Sequence, residues 1–209
     1  GCLFFGNSAG SLGGAMINDG YADAVLTDCT FQENSAGDQG GGMHNTSHSA
    51  PLLNGCSFTG NTADYGGGMS NHGLYADAVM TGCTFTDNTA EIDGGGIYND
   101  QNSSPTLNIV TFSGNSAGVH GGGMANILSY YIPAVTSLTD CTFSGNSATI
   151  TGGAIHNSGF ATLINTTLSN NTAAEGGGIL KGEVLDQGRD ADSADDLVVV
   201  AKDGGTDAA

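Results

Sequence analysis

Cys83-Thr84-Phe85-Thr86-Asp87-Asn88-Thr89-Ala90, closed by Gly94-Gly95-Gly96-Ile97, is one copy of a pattern that the chain writes six times. The pattern is an apolar residue or Cys, a polar one, Phe, two variable positions, Asn, Ser or Thr, Ala, and then a glycine cluster. Copies begin at Cys2, Cys29, Cys56, Cys83, Val110 and Cys141, with a weaker seventh at Thr166. The first four steps are 27 residues each, followed by 31 and 25. Self-similarity at a fixed period of this length marks one supersecondary unit stacked on copies of itself.

Columns of like residues say what that unit is. Cys and Phe stand two apart around a polar residue, the period of a strand with one buried face. Phe4, Phe31, Phe58, Phe85, Phe112, Phe143 and Leu168 form its inner column. A second short strand after each glycine cluster points Met16, Met43, Met69, Ile97, Met124, Ile155 and Ile179 inward. A third, before each new copy, carries Leu26, Leu53, Met80, Leu107, Leu138 and Leu163. Three strands and three turns per period predict an all-β fold, a parallel β-helix (solenoid) of about seven rungs of ~27 residues, each adding about 4.8 Å along the axis. Helical repeats would need runs of helix formers, whereas this chain has 36 Gly and β-branched, aromatic strands.

Two asparagine columns run with the strands. One is Asn7, Asn34, Asn61, Asn88, Asn115, Asn146 and Asn171, and the other is Asn18, Asn45, Asn71, Asn99, Asn126 and Asn157. Identical amides stacked in a parallel coil can donate to and accept from their neighbours along the axis. The glycines permit positive φ and close backbone approach at a corner. Each Cys falls in an inward column beside Phe, which predicts buried free thiols that act as small hydrophobes.

Residues 1–180 contain no Lys or Arg against 13 Asp and Glu, and Lys181, Arg189 and Lys202 are the only cations. A surface without cations cannot neutralise phosphates, which excludes nucleic acid as a partner. No run of 18 apolar residues predicts a transmembrane segment. The chain opens at Gly1-Cys2 on a strand of the repeat, as a mature or excised segment would. Regularity ends after Ile179, so residues 1–180 read as β-helix repeats. Residues 181–209 read as an acidic linker or cap with one apolar strand, Leu197, Val198, Val199 and Val200.

The F-x-x-N signature stands at Phe4–Asn7, Phe31–Asn34, Phe58–Asn61, Phe85–Asn88, Phe112–Asn115 and Phe143–Asn146. G-G-A-[ILM] stands at Gly13–Met16 and Gly152–Ile155, with Gly-Gly-Gly-Met or Gly-Gly-Gly-Ile elsewhere. Together they resemble the repeats of the chlamydial polymorphic outer membrane proteins and of many bacterial surface proteins. The resemblance implies a right-handed parallel β-helix of an extracellular or cell-surface protein, often adhesive. No segment resembles the outer-membrane barrel that accompanies such repeats.

The candidate chemistries are weighed against that expectation. Polysaccharide lyases and hydrolases share the fold, but a lyase needs a base and cations for its acidic polymer. Hydrolysis needs two positioned carboxylates, and Asp28 and Asp140, which align, are four periods apart by column. A polysaccharide-active enzyme is therefore the third reading, and no catalytic residue is expected. His44, His48, His72, His120 and His156 suggest no metal set: only His44 and His48 are close, without a third ligand, and the histidines read as surface residues. Asp190–Asp196 looks faintly like a calcium loop but lacks its glycine and glutamate. No cofactor is expected.

One outward feature is regular. The residues flanking Phe are Ser57 and Thr59, Thr84 and Thr86, Thr111 and Ser113, Thr142 and Ser144, and Thr167 and Ser169. They predict a flat double file of hydroxyls, the kind that β-helical ice-binding proteins present. The leading expectation is a non-catalytic, structural or adhesive β-solenoid whose partners are a host or matrix surface or further copies of itself. Head-to-tail assembly would use Leu197–Val200 as the joining strand, or that strand could fold back over the last rung near Ile179. A binding module for ice or polysaccharide is the alternative.

Overall fold

The computed structural model describes residues 1–129, 132–181 and 197–200. Its strands are two to five residues long, and all but two pair in parallel with the equivalent strand one rung away. The Phe sheet has seven strands, from Leu3–Phe5 to Thr167–Ser169. The Met sheet has seven, from Met16–Asn18 to Ile179–Lys181, and the Leu sheet has seven, from Val25–Thr27 through Phe160–Ile164 to Leu197–Val200. Seven strands make six rung-to-rung steps, so the seven copies wind about six turns.

Where three strands per rung were expected, the structure has four. Ser and Ala after the first asparagine column form a sheet of their own, six strands from Ser8–Ala9 to Ser147–Ala148. The asparagine explains it. Asn88 Oδ1 accepts from the Asn61 backbone N–H at 3.0 Å and from Asn61 Nδ2 at 2.9 Å. Asn88 Nδ2 donates to the Phe58 carbonyl at 3.0 Å and to Asn115 Oδ1 at 2.9 Å. Each amide thus closes the corner of the rung before it, and the next two residues leave that corner extended. The second asparagine column is bonded along the axis too, at 2.7 to 3.0 Å.

Phe31, Phe58, Phe85, Phe112 and Phe143 are fully buried. With Phe4 they stack at centroid distances of 4.3 to 5.0 Å and interplanar angles of 3 to 10°. Rings that repeat at the strand spacing can lie nearly parallel, adding dispersion to the area they bury. The middle glycine of each cluster is fixed by the next rung, since a Cβ on Gly95 would lie 2.4 Å from the carbonyl oxygens of Gly122 and Ser116.

All five cysteines are free; Cys29, Cys56, Cys83 and Cys141 are buried and Cys2 is exposed. The expectation of buried thiols is therefore corrected at Cys2, on the first described rung. Burial pushes the Cys141 thiol up, which suits a side chain held as a neutral hydrophobe.

The 31-residue step also has a local cause. Leu128–Ser129 pairs antiparallel with Ile132–Pro133, a small hairpin between the Met and Leu sheets. The ladders on either side are undisturbed, with Asn115 to Asn146 at 2.9 Å and Asn126 to Asn157 at 3.0 Å. Leu197–Val200 pairs in parallel with Ala161–Ile164, so the fold-back lies on the Leu sheet. The acidic run Asp190–Asp196, expected as linker, lies outside the described residues.

Asn88→Ala removes four hydrogen bonds and strands buried partners, so the unfolding free energy falls by roughly 3 kcal/mol or more. Asn7→Ala, at an exposed position of the first rung, costs less; denaturant titration of both variants checks the order. Thiol labelling of the native protein modifies Cys2 rapidly, and the other four react only after unfolding.

Candidate functional site

The hydroxyl file is where its residues predict. Thr84 is in register with Ser57 and Thr111, and Thr86 with Thr59 and Ser113, and the file continues through Thr142 and Ser144 to Thr167 and Ser169. Most of these residues are half-exposed and the rest exposed. Some hydroxyls bond within the file, Ser57 to Thr30 at 3.2 Å and Thr86 to Ser113 at 3.2 Å. A second hydroxyl column, Ser35, Thr62 and Thr89, runs along the Ala sheet and lines an open groove of about 420 Å³ with Asp64 and Glu91.

The outer side of the Met sheet differs in kind. Ile17, His44, Ser70, Tyr98, Ala125 and His156 occupy one column there. Gln39, Tyr65, Asp93, His120 and Thr151 occupy another, one residue before the glycine cluster. The second column leans over the first: Ser70 Oγ donates to Gln39 Oε1 at 3.1 Å, and the Tyr65 and Tyr98 rings lie 5.0 Å apart. Sequence periodicity assigns both columns to solvent, yet His44, Tyr98 and Asp93 are buried, and so is Asp100 in the next outward column. The signal that could have found them is the departure from Ser and Thr at outward positions of this sheet alone.

The cluster satisfies most of its own polar atoms. Tyr98 OH donates to Asp100 Oδ2 at 3.2 Å, and the Gln101 N–H donates to Asp100 Oδ1 at 2.6 Å. His72 Nδ1 stands 3.6 Å from Asp100 Oδ2. Asp93 Oδ1 accepts the His120 N–H at 3.0 Å. Thr151 Oγ1 joins His120 Nδ1 at 2.6 Å to His156 Nδ1 at 2.9 Å, and the two imidazoles stack at 4.5 Å. The histidine pairs are thus His44 with His72, tilted at 6.4 Å, and His120 with His156, while His48 stacks on Tyr21 and lies tilted against Tyr75. The expectation of surface histidines is corrected for His44 and His156, which the overlying column covers.

Burial sets the protonation of this face. Desolvation, then the charge of His72, lowers His44 to about 4. Desolvation, then His120, lowers His156 to about 4. Burial raises Tyr98, with Asp100 adding to it, and raises Asp93 against the opposing pull of His120. His44 Nδ1 has no hydrogen-bond partner. Among the described residues no three His, Cys, Asp or Glu side chains converge as metal ligands. The arrangement can take up protons, but it offers no exposed pair of carboxylates to a substrate.

The right-handed β-helix region profile matches residues 1–132, and the chain belongs to that family. Residues 140–158, the copy beginning at Cys141, match the Chlamydia polymorphic membrane protein repeat. The two matches define a right-handed β-solenoid with a repeat of surface-associated membrane proteins. No curated protein and no solved structure matches it. No helix in the described residues is long and apolar enough to cross a membrane.

Because His44 and His156 are lowered to about 4 in the folded state, the unfolded chain binds more protons between pH 6.5 and 4. Their contribution is complete above pH 6.5 and is lost as the pH falls towards 4. Asp93, shifted up, has the opposite slope at the acid end. Moving from pH 7 to pH 5 costs about 1–2 kcal/mol per histidine. Urea titrations of wild type and of the His44→Asn, His156→Asn variant measure it, and the variant flattens the slope.

Proposed function

We propose that the protein is a non-catalytic, adhesive β-solenoid of a cell surface or its surroundings. The observation that supports this best is the separation of roles in each rung. Phe, Met, Leu and Asn columns build an invariant interior, while outward columns carry hydroxyls, aromatics and acids free to meet a partner. The Chlamydia polymorphic membrane protein repeat at residues 140–158 supports a surface location. The buried acids of the Met-sheet face, Asp100 bonded by Tyr98 and Asp93 by the His120 N–H, and the absence of Lys and Arg from residues 1–180 speak against polysaccharide cleavage.

A fibre is the second part of the proposal. Leu197–Val200 adds to the Leu sheet by parallel backbone pairing. The same strand of one copy can take that place on another, giving a heterologous, non-closing contact. The in-register hydroxyl file favours one further reading, attachment to a regular surface such as ice or a polysaccharide.

Coated at equal density, the protein supports attachment of cells or matrix that a bovine albumin coat does not; absence of attachment removes the adhesive reading. Light scattering of the wild type rises with concentration while a chain lacking residues 195–209 stays a folded monomer, and a wild type that remains monomeric removes the fibre. Thr84→Lys with Thr86→Lys leaves the fold intact because both side chains face outward. Without thermal hysteresis in the wild type, the ice reading falls whatever the variant does.

A further inference from the structure

The pentapeptide Tyr-Ala-Asp-Ala-Val occurs twice, at Tyr21–Val25 and Tyr75–Val79, two 27-residue periods apart. Both copies lie between the Met and Leu sheets, and His48 takes the tyrosine's place on the rung between them. The three rings form one outward ladder, Tyr21 to His48 at 4.8 Å and His48 to Tyr75 at 5.2 Å. Tyr21 is 72% exposed and Tyr75 54%.

Backbone geometry makes this ladder costly. Tyr21, His48 and Tyr75 have φ of 66, 66 and 58°, the left-handed region that bulky residues avoid. One rung on, the position is Asn102 at φ 64°, a residue that tolerates it. A fold needing only the turn would use Asn or Gly throughout, so the aromatic rings answer some other requirement.

Four residues along each rung, Val25, Leu52 and Val79 form an exposed apolar file on the Leu sheet. Between the two files stand Asp23 and Asp77. Each gives one carboxylate oxygen to a backbone N–H of the next rung, of Ala50 at 2.8 Å and of Ser104 at 2.6 Å. Asp23 is exposed and Asp77 half-exposed. Residues 1–180 supply no Lys or Arg to meet these carboxylates.

We propose that this corner docks an extended basic peptide segment of a partner protein. Lys or Arg heads lie against the Tyr rings and carboxylates, and their aliphatic stems cover the Val and Leu file. Charge decides the class of partner: the acidic rod attracts a cation at every approach, whereas a neutral glycan gains nothing from it. Two rungs separate Asp23 from Asp77 by about 9.6 Å, and one turn of an extended polyproline II segment, three residues, spans about 9.3 Å and returns its side chain to the same face. The matching segment therefore carries a cation at every third residue. This inference rests on the adhesive reading and supplies its partner.

The test uses the full chain and a labelled, end-capped (Lys-Val-Thr)4 peptide, with binding followed by fluorescence anisotropy at physiological ionic strength. Tyr21→Asn with Tyr75→Asn keeps residues suited to the left-handed turns, so the fold persists while affinity falls about tenfold. Asp23→Asn with Asp77→Asn also weakens binding. Asp64→Asn with Glu91→Gln removes the same charge from the Ala-sheet groove and changes affinity less than about twofold. Equal weakening by the control pair overturns the site, because binding is then unlocalised attraction. No binding by the wild type, or tyrosine-dependent retention on cellulose in place of peptide binding, overturns the basic partner. Cell attachment that persists through either failure leaves the adhesive reading standing.

Discussion

The buried asparagine amide between consecutive rungs is the interaction on which the rest of the structure depends. A coil this tight must turn its backbone inside the protein, where unpaired N–H and C=O groups are expensive. Asn88 meets the need by bonding to three residues on the neighbouring rungs, and Asn61 and Asn115 do the same one step away. No rung can satisfy its corner alone. The phenylalanine stack and the thiol column follow from that register and then reinforce it by burial, as in other arrays whose units contact only their neighbours.

A fixed interior leaves the outward columns free to vary. On the Phe and Ala sheets the variation is small, mostly between Ser and Thr. On the Met sheet it admits His, Tyr, Asp and Gln, and there the residues before the glycine cluster fold over the sheet and bury them. The same backbone therefore presents a hydroxyl-bearing face, a closed titratable face and an aromatic corner. These are three chemically different surfaces on one rod.

Much of this was legible in the residues. Period, inward columns and both asparagine ladders follow from like residues recurring at equal spacing, since stacking converts sequence equivalence directly into spatial contact. What the sequence hid was lateral. The fourth sheet depends on how the asparagine reshapes two residues after it, and the burial of His44 and His156 depends on a neighbouring column leaning across. The missed histidine pairs have the same origin: His44 meets His72 because strands two residues out of column face the same side on successive rungs. Spacing along the chain pairs His44 with His48, whereas spacing across the sheet sets it against His72.

The hairpin at Leu128–Ser129 and Ile132–Pro133 has a consequence for how such a rod can change over time. Lengthening that rung leaves the Asn115–Asn146 and Asn126–Asn157 bonds at ordinary length, because the added residues leave the coil and return at the point of departure. The corner between the Met and Leu sheets is thus insulated from the axial repeat. Insertions, deletions and grafted loops are absorbed there, while a single residue gained between Phe and Asn would pull that asparagine out of the bonds that close its corner.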